Sequence, residues 1–483
     1  MDVDDRDLPD RPLEESPMNA DDPSSPRGGK TLEPCIAQLR SRFGDRLQTG
    51  RAIREQHGKD VSFHPCLPPD AVLFVLDAAD VRDAMRICAA HRCPVIAFGT
   101  GTSCEGHVGA PHGGLCIDFS RMDRVLAIDA DNLHATVQPG VTRKALNRAL
   151  NGTGLHFPID PGADASLGGM VGTRASGTNA VRYGTMRDNV LALQVVMADG
   201  RLLRTGTLAR KSSAGYDLTR LIVGSEGTLA LVTEVTVRLH PLPQAVVAAS
   251  CRFPTLADAV GCVIDVMRSG VGIGRVELLD EVQIDAVNRY SKLGLPEEPT
   301  LFFEFSGEPR TVDAQMELVR ELAAERGAGG FDRADTPEAR TRLWQARHDI
   351  WWANLALKPG SQGLPTDVCV PIPALAEQII AARRDVEAAG LIAPVCGHVG
   401  DGNFHLCFVV DPDDADEMRR VDEVNDRMVR RAIAAGGTCT GEHGIGLGKR
   451  EYLRLEAGGG VDVMRSIKQA LDPLGILNPG KVV

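Results

Sequence analysis

The first half of the chain carries glycine-rich segments next to apolar, strand-like runs. Residues 99–106 follow the run 94–98, a longer stretch extends over 161–183, and residues 224–228 precede another apolar run. Glycine lets the backbone approach a ligand closely, and successive N–H groups in such loops bind anions. The repeated pattern predicts a fold that holds a large phosphate-bearing cofactor.

The loop at 99–106 differs from two common nucleotide-binding motifs. Cys104 stands where the third glycine of a Gly-x-Gly-x-x-Gly fingerprint belongs, and no clear helix follows it. The chain also has no Gly-x-x-x-x-Gly-Lys-Ser/Thr motif. Composition alone therefore leaves the identity of the cofactor open.

Length and charge limit the architecture and the partners. A chain of 483 residues predicts two or three domains. Its net charge is −12, without clustered Lys and Arg, which argues against nucleic acid as a partner. The 12 cysteines follow no disulfide or iron–sulfur spacing, so we expect buried, reduced thiols in a cytoplasmic protein of bacterial type, or one held peripherally at the inner membrane.

The element pattern predicts a mixed fold with a boundary near Pro241–Pro243. Residues 1–30 are rich in Asp, Pro and Ser, which predicts a disordered tail without a signal peptide. A strand, helix and strand are expected over 71–98, a further strand over 115–118, and Asp199-Gly200 predicts a hairpin. Beyond the boundary, helices at 256–268, 312–326 and 417–435 alternate with strands at 301–305 and 407–410. No apolar run is long enough to span a membrane.

Two segments near the C-terminus carry the chemistry. His398 and His405 bracket a Gly-Asp-Gly-Asn turn, and Glu442 precedes His443 in a second glycine-rich segment. Imidazole and carboxylate bind zinc and manganese, so His398, His405 and Glu442 are the candidate metal ligands. His443 would face the other side of an extended backbone and could move a proton. A metallohydrolase with a nucleotide-binding domain is the alternative from another class, although no His-Glu-x-x-His is present.

These segments also resemble a known family. The runs 94–102, 161–169, 175–184 and 224–229 resemble the FAD domain of the vanillyl-alcohol-oxidase superfamily. The runs 397–405, 440–446 and 478–481 resemble its branch of FAD-linked 2-hydroxyacid dehydrogenases, and within it the cytochrome-type D-lactate dehydrogenases. The resemblance covers nearly everything after residue 31.

The resemblance implies an α+β fold: a PCMH-type FAD-binding domain of two α+β subdomains (31–242), an α/β cap with an antiparallel sheet that carries the substrate and metal site (243–455), and a C-terminal segment (456–483) that returns to the FAD domain. Thr102 stands where some relatives tether the flavin through histidine, so we expect non-covalent FAD, with nearby His107 as the residue that leaves a tether open. The implied FAD contacts are Phe98, Gly99, Thr100, Gly101, Thr102, Ser103, Pro161, Gly162, Ala163, Asp164, Ser166, Leu167, Gly168, Gly169, Gly172, Ala175, Ser176, Gly177, Thr178, Tyr183, Glu226, Gly227, Val232, Glu442 and Asn478.

The implied reaction is oxidation of a small D-2-hydroxyacid to the 2-oxoacid, with hydride transfer to flavin N5. A divalent metal, Zn or Mn, would acidify the hydroxyl, and His443 would take its proton. Arg347 would hold the carboxylate as a bidentate partner, with Asn403, Trp351 and Lys358 as further substrate contacts.

Substrate size and partners follow from departures within the family. Trp351 and Pro365 replace the Thr and Lys that hold a distal carboxylate in D-2-hydroxyglutarate dehydrogenases, and Cys407 replaces an Asn. The pocket should therefore prefer lactate or 2-hydroxybutyrate, with glycolate or D-2-hydroxyglutarate as the alternative. A non-catalytic FAD-bound subunit of a larger oxidase is a further alternative.

The partners are a separate electron acceptor and, in the simplest case, a second copy of the chain. Because the chain lacks a haem motif, electrons must pass to a separate cytochrome, quinone or electron-transfer flavoprotein. A homodimer is compatible with the sequence.

Overall fold

A computed structural model describes residues 32–483. The predicted N-terminal tail lies outside these residues. Within the described part, the strands form three main sheets and one two-stranded pair. The first two sheets belong to the glycine-rich half of the chain, and the third belongs to the half that carries His398, His405 and His443.

The first sheet places the first glycine-rich loop at the end of a parallel strand. Its elements are α1 (Glu33–Phe43), a 3₁₀ turn (Gly44–Arg46), β1 (Leu47–Gln48), α2 (Arg51–Gln56), β2 (Ala71–Phe74), α3 (Ala78–His91), β3 (Val95–Phe98) and β4 (Leu115–Asp118). The order is β1-β2-β4-β3, with β2, β4 and β3 parallel and β1 antiparallel. Asp77 caps α3 by accepting from Asp80 N. Ligands bind beyond the carboxyl ends of parallel strands, which is where the loop after β3 begins.

The second sheet is antiparallel and has the order β5-β6-β10-β8-β9. The Asp199-Gly200 turn joins β8 and β9 as the sequence predicts, and Gly200 adopts a φ of +80° there. Two short helices, α5 and α6, lie in the stretch that the sequence marks only as glycine-rich; α5 begins where the Ser166 hydroxyl accepts from Gly169 N. The elements are β5 (Val125–Asp129), β6 (His134–Val137), α4 (Arg143–Ala149), β7 (Leu155–His156), α5 (Leu167–Thr173), α6 (Ala180–Tyr183), α7 (Met186–Asn189), β8 (Val190–Val196), β9 (Leu202–Gly206), α8 (Leu218–Ile222), β10 (Leu231–Arg238) and β11 (His240–Pro241), with β7 and β11 paired.

The third sheet is a large antiparallel sheet with the order β15-β12-β14-β13-β18-β19-β16, and β17 pairs with β19. It starts just after the proline-rich boundary at 241–243. The predicted strand over 407–410 begins earlier, at Asn403, because its first half pairs with β17 and β18. The elements are β12 (Ala245–Arg252), α9 (Leu256–Arg268), β13 (Ile273–Leu279), α10 (Glu281–Ser291), β14 (Thr300–Gly307), α11 (Pro309–Glu325), β15 (Gly329–Ala334), α12 (Pro337–His348), α13 (Ile350–Leu357), β16 (Gln362–Pro365), β17 (Val368–Cys369), a 3₁₀ turn (Ile372–Ala374), α14 (Leu375–Ala388), β18 (Val395–Gly397), β19 (Asn403–Val410) and α15 (Ala415–Ala434).

The C-terminal segment lies against the first sheet. After α16 (Arg450–Ala457) and α17 (Gly460–Leu471), Leu477 forms a parallel bridge to Val95. Val95 N donates to Ile476 O at 2.7 Å, and Asn478 N donates to Val95 O at 2.8 Å. The end of the chain therefore extends the edge of the sheet that carries the first glycine-rich loop.

The helices and sheets together form the α+β arrangement that the sequence predicts. The cysteines behave largely as apolar core residues; for example, Cys35, Cys88 and Cys93 are buried together between α1, α3 and the first sheet. Within residues 32–483, no helix combines the length and the apolar composition needed to cross a bilayer.

The Leu477→Ala variant tests the packing of the C-terminal segment. Leu477 is fully buried, so we expect the free energy of unfolding to fall by about 2–5 kcal/mol. Leu474→Ala is the matched control, since Leu474 is 36% exposed and should lose little. The measurement is thermal or urea unfolding of both variants; equal losses would contradict this role of Leu477.

Candidate active site

The two candidate metal-binding histidines lie on one β-hairpin. His398 directly follows β18, His405 lies in β19, and Cys396 pairs with His405 across the two strands. The turn between them is tight, because Gly402 has a φ of +80° and a Cβ there would overlap Val370 O. The ring centroids of His398 and His405 are 5.5 Å apart.

Glu442 brings a carboxylate to these rings from a distant part of the chain. Its Oε1 lies 3.7 Å from His398 Nε2 and 3.5 Å from His405 Nε2. One ligand atom from each of these three residues lies within 4.8 Å of the others. Glu442 Oε2 accepts from the Ser176 hydroxyl at 3.1 Å, so the cluster touches the glycine-rich half.

The Nδ1 atoms of His398 and His405 already have hydrogen-bond partners within the protein. His398 Nδ1 lies 2.7 Å from Glu277 Oε1, and His405 Nδ1 lies 2.8 Å from Thr366 O. Such contacts fix the ring orientation of metal-binding histidines and leave Nε2 as the ligand atom. Two Nε2 atoms and one carboxylate oxygen are three donors of the kind that hold a divalent cation with open positions, so the residues fit this group.

The electrostatics of the cluster are those of a buried carboxylate among imidazoles. Burial would raise the pKa of Glu442, but the facing His398 and His405 lower it below its usual range. Burial lowers the pKa of His405, whereas Glu277 and Glu442 raise the pKa of His398 against its burial. Glu442 is therefore ionised, as a metal ligand must be.

His443 lies beside the cluster with one nitrogen unused. Its ring stacks on His405 with centroids 5.4 Å apart and an interplanar angle of 16°. Among the described residues, Nδ1 of His443 is buried without a hydrogen-bond partner. Burial lowers the pKa of His443 to about 4, so the ring is neutral at pH 7 and able to accept a proton.

Arg347 joins the cluster through Glu277. Its Nε donates to Glu277 Oε2 at 2.7 Å, while Oε1 of the same carboxylate contacts His398. The terminal nitrogens Nη1 and Nη2 form the fork that binds carboxylates. One buried acid on β13 thus orients both a candidate metal ligand and the candidate carboxylate clamp.

The other predicted substrate contacts differ in their surroundings. Asn403 lies at the start of β19, but its Nδ2 donates to Asp367 Oδ1 and Val368 O, both at 2.7 Å. The Trp351 indole packs against Gly363, where a Cβ would lie 2.8 Å from the ring. Lys358 Nζ donates to both carboxylate oxygens of Glu417, at 3.0 and 2.8 Å, and neither contact joins it to the cluster.

The predicted FAD contacts converge from separate parts of the chain. A Cβ on Gly99 would overlap the Ser166 hydroxyl, so the first loop packs directly on the start of α5. Glu226 N donates to Gly172 O at 3.0 Å, and Asn478 Nδ2 donates to Glu226 O at 2.7 Å.

Many of these residues are accessible to a ligand. The partly or fully exposed ones are Phe98, Gly99, Thr100, Gly101, Thr102, Ser103, Pro161, Gly162, Ala163, Asp164, Gly168, Gly169, Gly172, Thr178, Tyr183, Gly227, Val232 and Glu442.

Some predicted FAD contacts have their side chains bound within the protein. The Ser103 hydroxyl donates to Asp60 at 2.8 Å, and the Thr178 hydroxyl donates to Asp160 at 2.7 Å. Tyr183 packs edge-on against His240, and Val232 pairs with Val195 in the second sheet. Each of these hydroxyls has a single O–H donor, which is already bound to Asp60 or Asp160. A cofactor oxygen that accepted from Ser103 or Thr178 would therefore compete with that carboxylate.

Sequence reasoning missed the acids that support the site. Glu277 lies in an apolar strand, Arg-Val-Glu-Leu-Leu, and Asp367 lies between β16 and β17; both are buried. A lone carboxylate within an apolar strand run is a usable signal, because a buried charge needs a partner. The identity of the partner, however, depends on the sheet and not on spacing.

Two family models match the chain. Residues 69–206 match the model of an FAD binding domain, and residues 242–482 match the C-terminal domain of FAD linked oxidases.

Similar proteins span almost the same length. The chain is 49% identical over 457 residues to a protein of Danio rerio named probable D-lactate dehydrogenase, mitochondrial, covering 94% of this chain and 92% of the relative. It is 46% identical to D-lactate dehydrogenase [cytochrome], mitochondrial, of Arabidopsis thaliana, covering 93% and 80%. The fold is similar to that of 4-ethylphenol oxidase from Gulosibacter chungangensis, with a TM-score of 0.77, 19% identity, and coverage of 94% and 98%.

The Glu277→Gln variant tests whether Glu277 orients His398 for metal binding. The amide can no longer accept through both oxygens, so we expect affinity for Zn²⁺ or Mn²⁺ to fall about 10- to 100-fold. The measurement is calorimetric titration of metal-free protein. Glu304→Gln is the control, because this partly buried acid on β14 faces Arg275 at 3.5 Å. Unchanged affinity in Glu277→Gln would contradict the assignment.

Proposed function

This chain belongs to the family of FAD-linked oxidases, and we propose that it oxidises D-lactate to pyruvate with bound FAD. The contact between Ser176 and Glu442, 3.1 Å long, carries the proposal. It joins the predicted cofactor surface to the histidine cluster, so an oxidisable carbon and a flavin can share one site. The similar proteins named D-lactate dehydrogenase support the choice of substrate.

The cofactors would divide the chemistry between them: bound FAD supplies a hydride acceptor, and a divalent cation supplies a Lewis acid for the substrate hydroxyl. We propose that His398, His405 and Glu442 hold the cation, as Zn or Mn. We also propose that FAD is held without a covalent bond, since Thr102 has no nucleophilic nitrogen. His107 Nε2 lies 3.0 Å from Glu226 Oε2, which gives that ring a partner within the protein.

His443 is the proposed base. Its neutral, buried Nδ1 can accept the hydroxyl proton, and its stacking on His405 fixes the plane of the ring. The lowered pKa keeps this ring neutral until the substrate proton arrives.

Arg347 is the proposed carboxylate clamp. Glu277 holds Nε, which fixes the plane of the guanidinium and aims the terminal nitrogens. A second carboxylate on the substrate would need another cation, and Lys358 is paired with Glu417. Trp351 and buried Cys407 offer no positive charge, so a small side chain such as methyl is favoured.

The electrons must then leave the protein. Relatives named D-lactate dehydrogenase [cytochrome] support a separate acceptor, and we propose a cytochrome, with a quinone or an electron-transfer flavoprotein as the other candidates.

An anaerobic absorbance titration tests the reaction. We expect D-lactate to bleach the flavin band of the purified protein, because the pocket accepts one carboxylate and a small side chain. L-lactate and D-2-hydroxyglutarate are the controls and should bleach it far more slowly. A yellow protein that D-lactate leaves oxidised would refute the substrate, and a protein that cannot be loaded with FAD would refute the whole proposal.

Glu442→Gln tests the metal-assisted step. The neutral amide removes the anionic ligand, so we expect turnover to fall at least about 1,000-fold while FAD remains bound. Turnover with D-lactate and flavin absorbance are measured on the same preparation, with Glu304→Gln as the control. Persisting activity would show that the cluster does not assist deprotonation.

A further inference from the structure

The segment that carries Glu442 and His443 has no regular secondary structure. Residues 440–446 lie between α15 and α16 in the sequence and pair with no strand. Backbone hydrogen bonds of a helix or sheet therefore do not hold the two side chains in place. Their positions depend on what binds the peptide N–H groups of this segment.

Asp367 binds the first half of the segment. Its Oδ2 accepts from the Thr440 hydroxyl at 2.7 Å and from the backbone N of Glu442 and of His443, both at 2.9 Å. Its Oδ1 accepts from Asn403 Nδ2 at 2.7 Å. The side chain is buried, and it reaches the segment from the half of the chain that carries the third sheet.

Glu226 binds the second half of the segment. Its Oε1 accepts from Ile445 N at 2.7 Å, and its Oε2 accepts from Gly446 N at 2.8 Å. Glu226 is buried and belongs to the glycine-rich half. Its φ is +53°, a strained conformation for a residue with a side chain, which the surrounding contacts must maintain.

Both acids have cationic or polar neighbours that make their burial tolerable. Lys449 Nζ donates to Asp367 O at 3.0 Å, lies 3.9 Å from Asp367 Oδ2 and 3.1 Å from Glu105 Oε1. His107 Nε2 lies 3.0 Å from Glu226 Oε2. Buried carboxylates without such partners would be expelled or neutralised.

We propose that Asp367 and Glu226 are positioning residues that together fix the Glu442–His443 segment in its working conformation. The inference rests on the proposed function, since Glu442 and His443 are the proposed ligand and base. Each acid comes from a different half of the chain, so the segment is held on both sides only when the two halves are docked. The docking of the two halves would thus place Glu442 and His443 for the proposed reaction, in addition to burying surface.

The chemistry requires carboxylates at both positions. Four donors converge on Asp367 and two backbone N–H groups on Glu226, and a carboxylate is an acceptor on both oxygens. An amide of the same shape replaces one oxygen with an NH₂ donor, which then faces an N–H. Glu226→Gln therefore breaks one of the two contacts of Glu226 to the segment. Asp367 contacts the segment through Oδ2 alone, so an amide there loses only the Asn403 contact, and Asp367→Ala is the variant that removes all three contacts to the segment.

The test is amide hydrogen exchange of the FAD-loaded protein, read in peptides that cover residues 440–446, together with steady-state kinetics. We expect exchange in this segment to accelerate about tenfold or more in each variant, and the kcat of protein saturated with FAD to fall about tenfold or more with little change in KM. Thr440→Val is a milder variant for the case that an acid variant fails to fold. It removes the hydroxyl that donates to Asp367 and accepts from Gly444 N, and it should accelerate exchange in the same segment.

Asp118→Asn is the matched control. Asp118 is also buried and accepts from Ser120 N, with His57 Nε2 2.8 Å away, but it makes no contact with the segment. It should lower the melting temperature and leave exchange over 440–446 unchanged. Unchanged exchange in the Asp367 and Glu226 variants, or acceleration spread evenly over the chain, would overturn the proposal. A wild-type protein that D-lactate cannot reduce would refute the proposed substrate instead. The exchange result would still decide whether Asp367 and Glu226 fix the segment.

Discussion

The Glu442 carboxylate joins the two halves of this protein at the candidate site. Three imidazoles lie within 3.7 Å of its Oε1, and Ser176 from the glycine-rich half donates to its Oε2. A largely buried negative charge is tolerated only with such partners, because its desolvation costs several kcal/mol. The same contacts place the proposed base and the proposed metal ligands at the edge of the cofactor surface.

Support for these residues comes from acids that lie one contact further out. Glu277 contacts His398 and Arg347 with its two oxygens, so the proposed metal ligand and the proposed carboxylate clamp are held by the same side chain. Asp367 and Glu226 bind the loop that carries Glu442 and His443. The side chains that the proposed chemistry must orient are thus held by buried hydrogen bonds, although part of the site lies outside helices and strands.

Much of the fold can be predicted from local patterns. The strand at 115–118 and the helix at 256–268 match their predicted bounds, because a run of apolar side chains or a helical repeat ending at a polar residue is visible in the sequence. The helices α5 and α6 were not predicted, since glycine is a poor helix former and only the capping contact of Ser166 starts α5. The early start of β19 was missed as well, because pairing with β17 and β18, and not propensity, extends it.

The sequence by itself determined which residues could carry chemistry. His398, His405, Glu442 and His443 are ligand and base types beside glycines that permit tight turns, and the glycine-rich runs predict a cofactor surface and indicate the family. Only the tertiary structure decided which atoms face one another. Glu277 and His398 are 121 positions apart, and Glu226 and Ile445 are 219 apart, so no spacing rule connects them. Sheet order and the docking of the two halves bring these groups together. Because a buried charge is costly without a partner, each buried charged group then pairs with the polar group that faces it.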